Sequence, residues 1–240
     1  MIPAIRSTHN NHYLPLLVFS VSMGLLEAIV VVYIRELYYP DGFRFPLKEL
    51  PPWLIAVEWI REITTLLMLG SVAWITGKRF LKRLSAFLYL FGIWDIVYYL
   101  GLKIFLDWPE SLLTWDILFL IPFAWVGPVL APVLCSIMMI LMALLFDYHS
   151  LNNNLEKLNK RELVLIFSGA AVILYTFTVD FGRILIRGDF LKDFSGLAEN
   201  RKFIEILTSW KPENFNWIIF SAGMLLICTG VVLLHKRAGR

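Results

Sequence analysis

Residues 53–75 read WLIAVEWIREITTLLMLGSVAWI. A helix needs about 20 predominantly apolar residues to cross the hydrocarbon layer of a membrane, and this run has that length. It nonetheless carries Glu58, Arg61 and Glu62. Two neighbouring runs share the anomaly. Glu27 interrupts 14–34, LPLLVFSVSMGLLEAIVVVYI, and Asp95 interrupts 84–106, LSAFLYLFGIWDIVYYLGLKIFL. Ionisable side chains at membrane depth are costly, so a helix that only anchors a chain in lipid avoids them. Those carboxylates mark the place where function is expected.

The 240-residue chain is 58% hydrophobic and 17% charged, with a mean hydropathy of +0.68. A soluble domain carries more charge and lacks repeated apolar runs near 20 residues. The expectation is an all-α, polytopic membrane bundle, a single transmembrane domain over 1–240. Its six spans fall near 14–35, 53–76, 84–106, 125–146, 162–183 and 215–235. Cys135 and Cys228 lie in apolar spans and read as small core residues. The net charge of +3 is small, and no nucleic-acid partner is expected.

The stretch 109–146, PESLLTWDILFLIPFAWVGPVLAPVLCSIMMILMALLF, is too short for two full spans and a turn. Pro122, Pro128 and Pro132 sit in it, with Gly127 among them. Proline removes a backbone donor and clashes with the preceding helical turn. The prediction is a proline-broken half-helix or re-entrant segment at about 109–124, followed by one full span. Broken backbone at membrane depth survives only against protein or a water-filled cavity. A short echo, WDIVYYL at 94–100 and WDILFLI at 115–121, joins this stretch to the third span.

Basic residues in short loops set orientation. GKRFLKR at 77–83, Lys157, Lys160 and Arg161, and Lys236, Arg237 and Arg240 all fall on one side of a six-span chain. That places both termini in the cytoplasm and the protein in a plasma membrane, of bacterial inner-membrane type. The 184–214 loop is basic too, and a seven-span chain would turn it inward; span length favours six. Trp53, Trp108, Tyr38 and Tyr39 suit an interfacial aromatic belt.

At about 1.5 Å rise per residue, Glu27, Glu58, Glu62 and Asp95 fall in the outer half of the bilayer. Asp116 joins them on the predicted half-helix. Glu58, Arg61, Glu62 and Thr65 share one helical face, as do Asp95, Tyr98 and Tyr99, because residues three or four apart are neighbours. Arg61 is expected between Glu27 and Asp95. Arg35 lies near the same end, as do Asp180, Arg183 and Lys103, which are the secondary candidates. Acids outnumber bases there, which favours a bound cation, a cationic substrate or protons.

His9, His12, His149 and His235 all lie at span ends or in loops, so haem and histidine-based metal chemistry within the bilayer are not expected. His9 and His12, spaced HNNH, read as part of an N-terminal tail. No cofactor is evident. A divalent metal, if used, would take oxygen ligands such as Glu27, Glu62 and Asp95. The expected function is binding or transport of a small cation, proton or cationic solute. The alternative is an intramembrane enzyme acting on a lipid or lipid-linked substrate through carboxylates or a divalent metal. The third reading is an accessory subunit of a membrane complex. The lipid bilayer is the expected environment, and a homodimer would supply symmetry that one chain lacks.

Overall fold

The apolar runs fold as helices, most of them longer than the runs themselves. The computed structural model describes residues 13–152, 157–193 and 196–239. Its elements in chain order are α1 (Tyr13–Tyr38), α2 (Pro52–Ile75), α3 (Phe80–Leu106), β1 (Trp115–Phe119), β2 (Trp125–Pro128), α4 (Leu130–Asn152), α5 (Lys160–Arg187), α6 (Arg201–Ser209) and α7 (Trp217–Ala238). His9 and His12 lie outside the described residues. Five helices, α1, α3, α4, α5 and α7, are long and apolar enough to cross a membrane. The 24-residue α2 also has the length, and its Glu58 and Glu62 are buried within the bundle. Large apolar side chains face outward along the helices, among them Leu26, Ile60, Leu67, Phe167 and Leu225. That outward face suits lipid rather than water.

The helices alternate in direction. α1 and α3 run parallel, because Gly24 meets Trp94 and Val97 while Gly101 meets Ala28. α4 runs against α3, with Gly92 against Ser136 and Ile140, and Ser85 donating to the Ala143 carbonyl at 2.8 Å. α7 runs against α5, with Gly169 and Gly223 face to face. Lipid offers helices no hydrophobic drive to associate, so close contact between small residues supplies the packing. A Cβ built on Gly169 would lie 2.6 Å from the Gly223 carbonyl oxygen, so the approach depends on both glycines.

The segment expected as a half-helix is a β-hairpin. β1 and β2 pair antiparallel, Trp115 opposite Pro128 and Asp116 opposite Gly127, with a bulge between Ile117 and Phe119. Two more backbone bonds, Val129 to Thr114 and Leu130 to Leu112, close its base. The prolines do stop the helix, but the freed backbone is satisfied by ladder pairing. The fourth long helix therefore starts at Leu130 rather than at 125, and Pro132 falls in its first turn, where a missing N–H costs nothing. The hairpin is re-entrant in one sense, since it leaves α3 and returns to α4 at the same end of the bundle. It wedges between α3, where Phe119 meets Phe91 and Trp94, and α5, where Phe123 stacks on Phe181 at 6.0 Å.

The opposite end carries its own polar ties. Lys82 pairs with Asp147 at 3.2 Å, and Arg237 pairs with Glu162 at 2.7 Å. Glu162 also forms a capping box with Asn159 at the start of α5. His149 and His235 meet ring to ring, 3.0 Å between nitrogens. Both lie inside the last turns of α4 and α7, which run further than the expected spans. Between the two polar ends the core is apolar, with Leu69, Leu81, Leu90, Phe146 and Ile173 among its members. After α5 the chain forms two short 3-10 turns and the nine-residue α6. A helix of that length spans about 14 Å, too short to cross, so no seventh span arises there.

Gly169→Ala or Gly223→Ala is expected to lower stability by about 1–3 kcal/mol, the usual cost of overpacking. Gly70→Ala, which meets nothing within 4 Å, is expected to be neutral or mildly stabilising. Thermal melts of the purified protein in detergent check the contrast.

Candidate acidic site at the hairpin

α2 enters the bundle through Pro52 at its first turn. One and a half turns later its polar face begins: Glu58, Arg61, Glu62 and Thr65. Helical spacing turns all four toward α1 and the hairpin. Arg61 is the hub. Its Nε accepts no proton but donates to Glu58 Oε2 at 2.8 Å, Nη1 lies against Glu27 Oε1 at 2.5 Å, and Nη2 is 3.9 Å from Glu62 Oε1. Thr65 Oγ1 donates to the other oxygen of Glu27 at 3.4 Å. One guanidinium, with five donors spread over three nitrogens in a planar fork, serves three carboxylates in this way.

Glu62 has a second task. Both of its oxygens accept from the backbone N–H of Leu120, each at 3.0 Å. Leu120 follows directly on β1, so a side chain from α2 satisfies a donor that the hairpin ladder leaves over.

A second pair lies nearer the hairpin base. Arg35, in the last turn of α1, donates through Nη2 to Asp116 Oδ1 at 3.0 Å. Tyr99 donates to Asp116 Oδ2 at 3.3 Å. Asp116 is 1% exposed, so this charge depends on those partners and on a backbone hydrogen bond from Ile117. Arg35 is itself sandwiched by aromatic faces, 3.8 Å over Trp108 and 4.4 Å over Phe43, a cation–π arrangement suited to a desolvated guanidinium. Tyr98 packs edge-on against Tyr99 at 5.0 Å. It interacts electrostatically with both groups, Asp116 and Arg35 on one side and Glu27 and Arg61 on the other.

Asp95 stands apart from the expected pairing with Arg61. It accepts from Ser136 Oγ of α4 at 2.7 Å and has no basic partner among the described residues. Glu27 and Asp116 are still near enough to act on it electrostatically. The first-rank candidates therefore gather around the hairpin, while the secondary ones do not. Lys103 is half exposed and pairs with Asp107 at 2.7 Å. That hydrogen bond lowers the Asp107 carboxyl below its ordinary range. Asp180 and Arg183 pair with each other at 3.0 Å on the α5 surface.

No three His, Cys, Asp or Glu side chains among the described residues are gathered to hold a metal ion. Glu27, Glu62 and Asp95 turn instead to Arg61, Leu120 and Ser136. Sequence reasoning missed Ser136 and the partnership of Arg35 with Asp116. A hydroxyl in an apolar span was the only signal for the first. For the second there was none, because the partner residues are 81 positions apart. Several donors around the hairpin are buried without a protein acceptor among the described residues: Arg35 Nη1 and the indole N–H groups of Trp94, Trp108 and Trp125. No protein-family model, curated protein or solved structure matches the chain.

Breaking a buried pair by removing one partner leaves a charge uncompensated, at a cost of about 3–5 kcal/mol. Arg35→Met is expected to destabilise by that order, and Arg35→Met with Asp116→Asn to recover part of the loss. A double-mutant cycle on detergent melting temperatures gives the coupling.

Proposed function

We propose that the chain is a plasma-membrane protein whose acidic site, in the outer half of the bilayer, binds and transports a proton or small cation. The observation that carries this reading is the unequal charge around the hairpin. Five carboxylates, Glu27, Glu58, Glu62, Asp95 and Asp116, share two guanidinium groups, and Asp95 has a hydroxyl where the others have an arginine. A site of this kind is relieved by taking up positive charge. The orphaned indole and guanidinium donors support a site that also takes oxygen, as water accompanying a cation would provide. The orientation rests on the short basic segments 77–83 and 157–161 with Lys236 and Arg237, which lie at the end opposite the hairpin and on the positive-inside rule belong to the cytoplasm, although the longer 184–214 segment at the hairpin end is basic too. In that orientation six helices cross, α2 among them.

The apolar core beneath the site argues against an open channel, so movement of an ion would require the helices to rearrange. A second reading draws on a different observation. Arg61 and Glu27 keep 20% and 12% of their side-chain surface exposed, and their exposed neighbours are the apolar Leu26, Val57 and Ile60. That opening is lateral. It suits a lipid or lipid-linked substrate approaching the carboxylates from the outer leaflet.

The test is ion uptake by the full chain in liposomes, with protons, monovalent and divalent cations supplied in turn. Asp95→Asn keeps an oxygen to accept from Ser136 and removes the charge. It is expected to abolish uptake with the melting temperature little changed. Uptake unaltered in Asp95→Asn and in Glu27→Gln would sink the cation reading, and turnover of a lipid substrate lost in the same variants would replace it with the enzyme.

A further inference from the structure

A second candidate site lies away from the acidic cluster, on the surface at the hairpin end. The last two turns of α5, α6 and the linker into α7 enclose a cleft of about 610 Å³. Its charged lining is mostly basic: Arg183, Arg187, Lys202 and Lys211 face only Asp180 and Glu213. Arg183 is held by Asp180. Arg187, Lys202 and Lys211 have no ion-pair partner among the described residues. Two of these cations come from α5 and α7-linker positions and one from α6, so the fold brings together charges that sequence separates by up to 24 positions.

The floor of the cleft is apolar. Ile184 and Ile206 line it beside the half-buried Trp210, whose ring is fixed edge-on against Phe45 at 5.7 Å. Exposed apolar residues continue outward from the cleft, Ile186 on α5 and Ile218 on α7. Below it α5 and α7 enter the apolar belt. A tryptophan with one apolar side and one wet side is the usual furniture of the membrane–water boundary. The cleft therefore sits where a helix pair leaves lipid, with an apolar path on one side and surplus cations on the other.

We propose that this cleft binds the phosphate headgroup of an anionic phospholipid. The unpaired Arg187, Lys202 and Lys211 receive the phosphate oxygens, and acyl chains run down the exposed apolar flank of α5 and α7. A free inorganic phosphate would satisfy the cations but leave Trp210 and the two isoleucines without a role. The lipid uses both halves of the cleft. Basic pockets beside transmembrane helices bind anionic lipid headgroups, and three unpaired cations give this cleft the charge to hold one.

The experiment measures lipid retention by native mass spectrometry on the full chain purified in detergent. The lipids offered are phosphatidylglycerol, phosphatidylcholine and, separately, inorganic phosphate. The variant Arg187→Gln/Lys202→Gln/Lys211→Gln removes the exposed cations and disturbs no buried contact. A charge-matched control, Lys103→Gln/Lys160→Gln/Lys192→Gln, removes three cations outside the cleft lining, two of them paired with Asp107 and Asp189. Phosphatidylglycerol is expected to bind the wild type and the control alike, and the triple variant about tenfold or more weakly. Equal loss in the control, equal retention in the triple variant, or phosphatidylcholine binding as well as phosphatidylglycerol overturns the proposal. Displacement of the lipid by millimolar phosphate alone assigns the cleft to a free anion and overturns it too. None of these outcomes bears on uptake through the acidic cluster, which the three substitutions leave intact.

Discussion

Backbone that leaves the helix inside an apolar bundle must find partners for its polar groups, because lipid offers none. Here that constraint falls on a single hairpin. Ladder bonds between β1 and β2 satisfy most of it, and the Leu120 N–H is satisfied by Glu62. A carboxylate at that depth then needs a counter-charge. Arg61 supplies it, and Arg61 in turn holds Glu58 and Glu27. The charged face of α2 follows from the presence of the hairpin. Without irregular backbone to satisfy, an apolar residue at position 62 would cost less and Arg61 would have no reason to be there.

Arg35 and Asp116 fasten the other end of the same strand. Buried ion pairs contribute little net stability, since desolvation offsets much of the attraction, and they are better at fixing one arrangement among several. A two-stranded hairpin alone is marginally stable. Pinned to α1 through Asp116 and to α2 through Leu120, this one is held in a single register between α3 and α5. The arrangement also explains why α1 and α2 can stay apart. Long charged side chains bridge them, while α1 packs closely on α3 through Gly24 and Gly101.

The helices were legible because apolar runs near 20 residues have few other uses. The polar face of α2 was legible from three- and four-residue spacing. The hairpin was not, and the WDI echo shows why. Trp94–Asp95–Ile96 lies in the middle of α3, whereas Trp115–Asp116–Ile117 is the start of β1. The same three residues adopt helix in one place and strand in the other, so local preference decides neither. The prolines located the break, yet a break is equally compatible with a half-helix or a hairpin. What chose between them is the pairing of 115–119 with 125–128, together with a carboxylate arriving from residue 62. Depth alone misled for Asp180, Arg183 and Lys103. Rise along a helix gives the level of a side chain but not the direction in which it points, and all three turn outward.

The placement of charge divides the molecule into two tied ends and an apolar middle. At the hairpin end the acids exceed the bases; at the other, Lys82–Asp147 and Arg237–Glu162 are balanced one to one. Balanced pairs fasten helices and ask for nothing more. An excess of carboxylates is different, because each unpaired charge raises the cost of keeping the next one dry. That excess is concentrated on Asp95, which lies at the contact between α3 and α4 rather than on α2. An incoming positive charge at Asp95 would act first on the Ser136 bond, and so on the packing of α4 against α3 around Gly92. The carboxylate of the cluster without a guanidinium partner among the described residues is thus the one whose hydrogen-bond partner lies on α4, away from the rest. Neutralising it leaves an oxygen for Ser136 to donate to, while Arg61 and Arg35 keep the hairpin, α1 and α2 in place.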